Sequence, residues 1–252
     1  MPTLSAILIT RNEEANLADC LASLDGLASQ IIVVDTESSD RTLEIARQYS
    51  AEIASPPDWP GFGPQKNRAL AMATGDWVIS LDADERLTPE LRQEIKWVLA
   101  NPGSQVCFAI PRLSWFLGRF MRHSGWTPDY VDRLFKRGFA QFSDDLVHER
   151  LIVQGQSKKL KNPMLHYSFM NAKQVEEKMQ RYSTDSAKQA YAKGKTATPF
   201  KAILHGAWSF FRTYIIRAGF LDGRQGFLLA KSNAQGTYLR YMKLWRLNKE
   251  KK

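Results

Sequence analysis

The sequence predicts an α/β domain, a mostly parallel sheet with helices on both faces, followed by a helical amphipathic extension at the C-terminus. Three observations carry this expectation. Through residues 1–100, short apolar runs alternate with segments whose apolar residues return at helical spacing. One run, Ile31-Ile32-Val33-Val34, is β-branched throughout, which suits a strand buried on both faces. Beyond Thr198 the composition turns to aromatic and basic residues, again at helical spacing.

Taken in order, Leu4 to Ile9 reads as the first strand. Asn12 stands where it can cap a helix with Glu13 and Glu14 in its first turn and Leu17, Cys20, Leu21 and Leu24 on one face. After the Ile31–Val34 strand, Ser39 is expected to cap a helix that turns Leu43, Ala46 and Tyr49 inward. Pro56 to Gly63 is a loop by composition, Gln65 to Thr74 a helix and Trp77 to Leu81 a strand. Thr88-Pro89 starts a helix with Pro at its first position, and Leu91, Ile95, Val98 and Leu99 form its apolar face. Val106 to Ile110 and Leu151 to Val153 are further strands, and Asn171 can cap a helix bearing Val175, Met179 and Tyr182. In such sheets ligands bind beyond the carboxyl ends of the strands.

Charge divides the chain. Residues 1–149 carry 14 Lys and Arg against 21 Asp and Glu, and residues 150–252 carry 21 against 5, so a net +9 hides −7 followed by +16. The acidic half argues against a nucleic-acid enzyme, and no nucleic-acid partner is expected; the basic half suits an anionic surface. Cys20 and Cys107 lack metal spacing and read as buried small residues in a reducing compartment. Met1 to Thr10 has no basic start and runs straight into a strand pattern, so no signal peptide is expected.

Leu81-Asp82-Ala83-Asp84-Glu85 follows directly on a strand. Two carboxylates one residue apart at a strand's carboxyl edge suit a hard cation such as Mg²⁺ or Mn²⁺, which takes one or two carboxylates plus phosphate oxygens. Alone, the pair reads sooner as a solvated acidic turn before the Thr88 helix. It stands, however, at the end of an ordered series: Ala6-Ile7-Leu8-Ile9-Thr10-Arg11-Asn12-Glu13, Val33-Val34-Asp35 with Ser38-Ser39-Asp40-Arg41-Thr42, Gln65-Lys66-Asn67-Arg68-Ala69, and Ala73-Thr74-Gly75-Asp76. This series resembles the inverting GT-A-fold glycosyltransferases of family 2, over roughly the first hundred residues.

The resemblance implies that Thr10, Arg11 and Glu13 border the nucleotide of a nucleotide-sugar donor and that Asp35 contacts uracil or ribose. It implies Lys66 near the base or diphosphate, in place of a family Arg, with Asp82 on ribose or metal and Asp84 as principal metal ligand. His166 would be a third ligand, as in GT-A enzymes that close the site with a later His. Asp35-Thr36-Glu37 departs from the family's frequent Asp-Asp-Gly. Lys66 and Arg68 would otherwise be an exposed helix face, and His166 a packed imidazole.

Inverting transfer also needs a base for the acceptor hydroxyl. The candidates are Asp129, Asp132, Asp144, Asp145, His148 and Glu149. Val147-His148-Glu149-Arg150, with Asp132-Arg133-Leu134-Phe135 and Leu165-His166-Tyr167, looks like a subgroup containing bacterial lipopolysaccharide-core glucosyltransferases. That likeness favours Glu149, then Asp145, and implies UDP-glucose as donor and a heptose of a lipid-linked saccharide as acceptor, with a polyprenyl phosphate or another glycolipid as the alternative acceptor. A sugar-phosphate nucleotidyltransferase would show a Gly-rich loop near the N-terminus, and Thr10 to Asn16 has no Gly.

Phe200, Ile203, Leu204, Ala207, Trp208, Phe211, Ile215 and Ala218 recur at helical spacing, interrupted by Lys201, His205, Arg212 and Arg217. No transmembrane helix is expected there. A basic helix with an aromatic-rich face suits the interface of an anionic membrane, and packing against the catalytic domain is the plainer alternative. The expected organisation is a catalytic domain over 1–170, with a nucleotide-sugar half (1–100) and an acceptor half (101–170). A basic, membrane-associating helical region over 171–252 follows, peripheral on the cytoplasmic face of the inner membrane.

Overall fold

A computed structural model describes residues 2–144 and 149–250. The chain forms two compact units, Met1–Arg112 with Asp129–His166, and Leu113–Pro128 with Tyr167–Lys252. The segment 113–128 therefore groups with the C-terminal helices.

In the first unit, strands β1 (Leu4–Thr10), β2 (Gln30–Asp35), β3 (Glu52–Ala54) and β4 (Trp77–Ser80) alternate with helices α1 (Leu17–Ala22), α2 (Thr42–Gln48) and α3 (Phe62–Met72). They pair in parallel, in the order β3-β2-β1-β4. The chain continues through β5 (Glu85–Leu87), α4 (Pro89–Ala100), β6 (Cys107–Phe116), β7 (Arg119–Phe120), β8 (Asp129–Lys136), β9 (Ala140–Phe142), β10 (Leu151–Val153), β11 (Ser157–Lys159) and β12 (Met164–Phe169). β8 lies antiparallel between β4 and β6, and β12 lies antiparallel to β5. The chain is thus mixed α/β, parallel in its first half and chiefly antiparallel beyond.

The period of two along each strand sorts the core into two faces. Leu4, Ala6 and Leu8 of β1, Val33 of β2, and Trp77 and Ile79 of β4 join one cluster with Leu17, Cys20 and Leu21 of α1 and Leu91, Ile95, Val98 and Leu99 of α4. Ile7, Ile32, Val34 and Val78 face the other way, against Ala69 of α3, Phe135 and Phe142. Helices therefore cover both faces. Cys20 and Cys107 are buried free thiols, and burial pushes Cys107 up to about 12, so neither is poised for chemistry at neutral pH.

Two caps form as the sequence predicts. Leu91 N–H donates to Thr88 Oγ1 at 3.2 Å, and Gln174 N–H to Asn171 Oδ1 at 2.9 Å. Two do not. Asn12 caps nothing; at φ 54° its Oδ1 accepts from Ser39 N–H. Ser39 is spent in that bond, and Asp40 instead accepts from Thr42 N–H as α2 begins. The two loops tie to each other because both emerge from neighbouring parallel strands. Helix α3 starts three residues before Gln65, since Gly61 supplies the φ of 115° that enters it. A Cβ on Gly63 would come within 1.8 Å of Ser143 O, so only glycine lets α3 approach β9 there.

The second unit is built on α5 (Ala172–Ala192), α6 (Pro199–Phe211) and α7 (Gly223–Glu250), with a π-helical turn at Arg212–Ile216 and a 3₁₀ turn at Gly219–Asp222. Phe116, Met121 and Leu229 form a buried cluster with Trp126, Phe169 and Val175 against it. Asp222, fully buried, accepts from Arg122 N–H, His123 N–H and Ser124 Oγ, which fastens segment 113–128 to the 3₁₀ turn. Helix α6 buries Ala202 and Gly206 and leaves Phe200, Ile203, Leu204, Trp208 and Phe211 exposed. Among the described residues no helix is long and apolar enough to cross a membrane.

Thr88 both caps α4 and donates to Pro163 O at 3.1 Å. Thr88→Ala should lower stability in urea unfolding by about 1–2 kcal/mol, and Thr88→Ser by a few tenths at most. Equal losses in the two variants would contradict the cap.

Candidate active site

The turn Leu81-Asp82-Ala83-Asp84 leaves the carboxyl end of β4 and leads into β5. Three carboxylates, Asp82, Asp84 and Glu85, fall within four residues, and the chain distributes cations among them.

β8 pairs Leu134 with Ile79, which brings Arg133 to the level where β4 ends. Arg133, 5% exposed, donates from one nitrogen to Asp82 Oδ2 and to Glu85 Oε1, both at 2.6 Å. Lys66, turned inward from α3 and 4% exposed, lies 3.0 Å from Asp82 Oδ1 and 3.1 Å from Glu149 Oε1. Asp82 N–H donates to Glu85 Oε2 at 2.9 Å and so closes the turn. Glu149, Lys66, Asp82, Arg133 and Glu85 thus form one chain of alternating charge. Arg112 lies 3.8 Å from Glu85 and pairs with Asp129 at 2.6 Å.

Burial alone would push the Asp82 carboxyl up, but the Arg133 and Lys66 charges prevail and hold it well below the usual carboxylate range. Burial pushes Glu85 up, with Arg133 opposing. Burial also works against the Arg133 charge, yet Asp82 and Glu85 raise it above the ordinary guanidinium value.

Asp84 and His166 come together separately. β12 sets His166 opposite Glu85 on β5, one residue from Asp84, and His166 Nε2 lies 3.4 Å from Asp84 Oδ2. Both side chains are partly exposed. Half-buried Glu13 is raised by its burial, partly offset by its bond from Asn16, and raised further by the charges of Asp84 and Asp82. It belongs to the same acidic field.

The expected nucleotide residues occupy the ends of β1 and β2. Asp35 is fully buried, accepting from Thr10 Oγ1 at 2.9 Å and from Ser38 N–H at 2.9 Å. Glu13 N–H donates to Thr42 Oγ1 and Asn12 N–H to Ser38 Oγ, so Asp35 holds the loops together from beneath. Arg11 is exposed. Glu37, where the family pattern has Gly, carries a left-handed φ of 50° that glycine adopts without strain. Gln65 donates to Thr36 Oγ1, and Arg68 pairs with Asp58 on the outside of α3.

The structure therefore unites Asp82, Lys66 and Glu149, and separately Asp84 and His166. Asp82 has both oxygens in ion pairs, and among the described residues no group of three or more His, Cys, Asp or Glu is assembled for a metal. A cation here would take the Asp84 carboxylate and the His166 imidazole. One oxygen and one nitrogen ligand, both reachable from solvent, fit Mg²⁺ or Mn²⁺ if the remaining positions go to water and phosphate oxygens. Asp145 and His148 lie outside the described residues. Asp129 and Asp132 are engaged with Arg112 and Ser157, and Asp144 is exposed. Arg133 and Glu85 were not singled out from the sequence. Their signal was there: an Arg between Asp132 and the apolar Leu134-Phe135 on a strand has to find a buried partner.

The family model described as glycosyl transferase family 2 matches residues 5–160. The chain is 30% identical to an uncharacterized glycosyltransferase of Rickettsia typhi over 98% of this chain and 88% of that protein. It is also 30% identical to the lipopolysaccharide core biosynthesis glycosyltransferase LpsC of Rhizobium meliloti, over 96% of this chain and 92% of that protein. Among solved structures, glucosyl-3-phosphoglycerate synthase of Mycobacterium tuberculosis with Mn²⁺, UDP and phosphoglyceric acid is 28% identical over 45% of this chain and 43% of that one, at a TM-score of 0.36.

Removing one partner of a buried ion network strands the others. Arg133→Leu should cost about 3 kcal/mol or more in urea unfolding, because Asp82 and Glu85 lose their shared counter-charge. A loss under about 1 kcal/mol, on the scale of an exposed pair, would remove Arg133 from its structural role.

Proposed function

The chain belongs to glycosyl transferase family 2, and on that premise we propose that it is a metal-dependent inverting hexosyltransferase acting at a membrane surface. The donor is a nucleotide sugar, UDP-glucose first among those to test, and the acceptor a heptose of a lipid-linked lipopolysaccharide core. The observation that carries the reading is the division of labour at the β4–β5 turn. Asp84 meets His166, while Asp82 is held by Lys66 and Arg133. The full-length likeness to LpsC, a lipopolysaccharide core biosynthesis glycosyltransferase, supports the acceptor class.

Asp84 and His166 would hold Mg²⁺ or Mn²⁺, which when bound supplies counter-charge to a diphosphate leaving group. The loops joined through Asp35 and Ser38 would border the nucleoside. Glu149 is the base. It takes the acceptor hydroxyl's proton as that oxygen bonds to the anomeric carbon opposite the leaving diphosphate, whose bond to that carbon breaks with inversion. Lys66 fixes the Glu149 carboxylate from one side, through Oε1, and so orients it. In the second unit, Phe200, Ile203, Leu204, Trp208, Phe211, Ile215 and Ile216 are all exposed and interleaved with Lys201, Arg212 and Arg217. That unit holds 19 Lys and Arg against 5 Asp and Glu. An apolar face with a basic border supports peripheral attachment to the anionic cytoplasmic leaflet of the inner membrane.

Purified protein is to be assayed against nucleotide sugars with truncated lipopolysaccharide and polyprenyl phosphate acceptors. Transfer should require Mg²⁺ or Mn²⁺, and Asp84→Ala should abolish it. Glu149→Gln should lower kcat about 100-fold or more while donor affinity stays within about twofold. Undiminished activity in chelator would overturn the metal assignment, near-normal turnover in Glu149→Gln the base, and transfer to polyprenyl phosphate alone the acceptor. Ile203→Ser/Trp208→Ser should release the protein from anionic vesicles without lowering its Tm. Retained binding, or dimerisation through the same face, would overturn the attachment.

A further inference from the structure

We propose that the cavity at the N-terminal end of α6 is a binding site for the phosphate of an anionic lipid headgroup. This rests on the reading of α6 as the membrane-facing helix and adds a specific site to it.

The cavity, of about 380 Å³, lies within the second unit where the end of α5, the start of α6 and the later part of α7 meet. Its wall includes Lys195, Lys201, Arg240, His205, Tyr241 and Leu244, and no acidic residue. None of the three cations forms an ion pair among the described residues. The wall is also built rather than incidental. His205 stacks on Tyr241, ring centroids 4.3 Å apart and planes 4° from parallel, and the Arg240 guanidinium lies 5.6 Å from the same ring. The α5–α6 loop is pinned from α7: Asn248 Nδ2 donates to Lys195 O, and Asn248 Oδ1 accepts from Ala197 N–H. Lys195 N–H donates to Ala190 O. Three cations are thus gathered at a concave surface whose wall carries no acidic residue.

Their chemistry names the ligand. Guanidinium offers a planar fork suited to phosphate oxygens, and two ammonium groups add point charge. The first turn of α6 carries no acidic residue, so its exposed end adds no opposing charge. The apolar neighbours name its source. Phe200, Ile203 and Leu204, exposed by 69%, 59% and 53%, flank Lys201 on the same helix. A helix lying in the interface on these residues would bring its N-terminal cavity to the depth of the headgroup phosphates. A soluble phosphate ester would have no use for that apolar border.

The test uses the full chain and vesicles of phosphatidylcholine alone or with 20% phosphatidic acid, about one lipid in five. Lys201→Ala/Arg240→Ala is compared with Lys188→Ala/Arg246→Ala, which removes the same charge from the same unit outside the cavity. Thermal unfolding in rising inorganic phosphate runs in parallel, and unchanged circular dichroism certifies each fold. The cavity pair should weaken binding to the anionic vesicles by about 30-fold, from about 1 kcal/mol per cation, and the outside pair by a few-fold at most. Equal losses in the two variants would overturn the cavity while leaving membrane attachment intact. No vesicle binding by the unaltered chain would overturn the attachment and the lipid source together. Phosphate protection that needs Lys201 and Arg240 would then assign the site to a soluble phosphate ester.

Discussion

Arg133 donates to Asp82 and Glu85 from within a sheet, where a charge without partners would cost several kcal/mol, and the layout of the charged site in the first unit follows from satisfying it. Glu85 is fully buried with Arg133 at 2.6 Å as its nearest counter-charge, and Asp82 is shared between Arg133 and Lys66. The same guanidinium ties antiparallel β8 to the end of parallel β4, the seam where the sheet changes character. Once Asp82 and Glu85 are engaged, Asp84 is the carboxylate of the turn that meets His166. The Asp-x-Asp pattern thereby resolves into two unlike groups, one held by two protein cations and one beside an imidazole.

Much of this was legible in the residues. The parallel half of the sheet could be read because β-branched runs and helical apolar spacing agree with each other there, and every residue expected on the inner face of α4 is buried. The Thr88 and Asn171 caps follow from local chemistry alone. Asn12 and Ser39 failed as caps because their partners come from another loop, 27 residues away, which no local pattern reports. Asp84 with His166 was expected from family likeness, and strand register brings them together. The Arg133 link was hidden, since a lone charge in a strand says that it has a partner without saying which. Segment 113–128 was also opaque. Its attachment depends on backbone N–H groups meeting Asp222, about 100 residues on.

Periodicity reports which residues share a face and leaves open which face is covered. In α4 Leu91, Ile95, Val98 and Leu99 go in; in α6 Ala202 and Gly206 go in, and Phe200, Ile203, Leu204, Trp208 and Phe211 stay out. Gly206 permits the close approach, since a Cβ there would come within 3.3 Å of Ala234 O and of Tyr238 Cβ. Helices α6 and α7 approach through these small residues, and Phe210 is half-buried against Phe227 of α7.

That inverted packing separates two properties that most apolar residues combine. In α4, an apolar side chain contributes to folding, at roughly 25 cal/mol for each Å² it removes from water. In α6, Ile203 and Trp208 keep more than half their surface in water after folding is complete. Their hydrophobic free energy is still unspent in the native state, so changes along this helix can retune adhesion while the thermostat of the fold stays where it was.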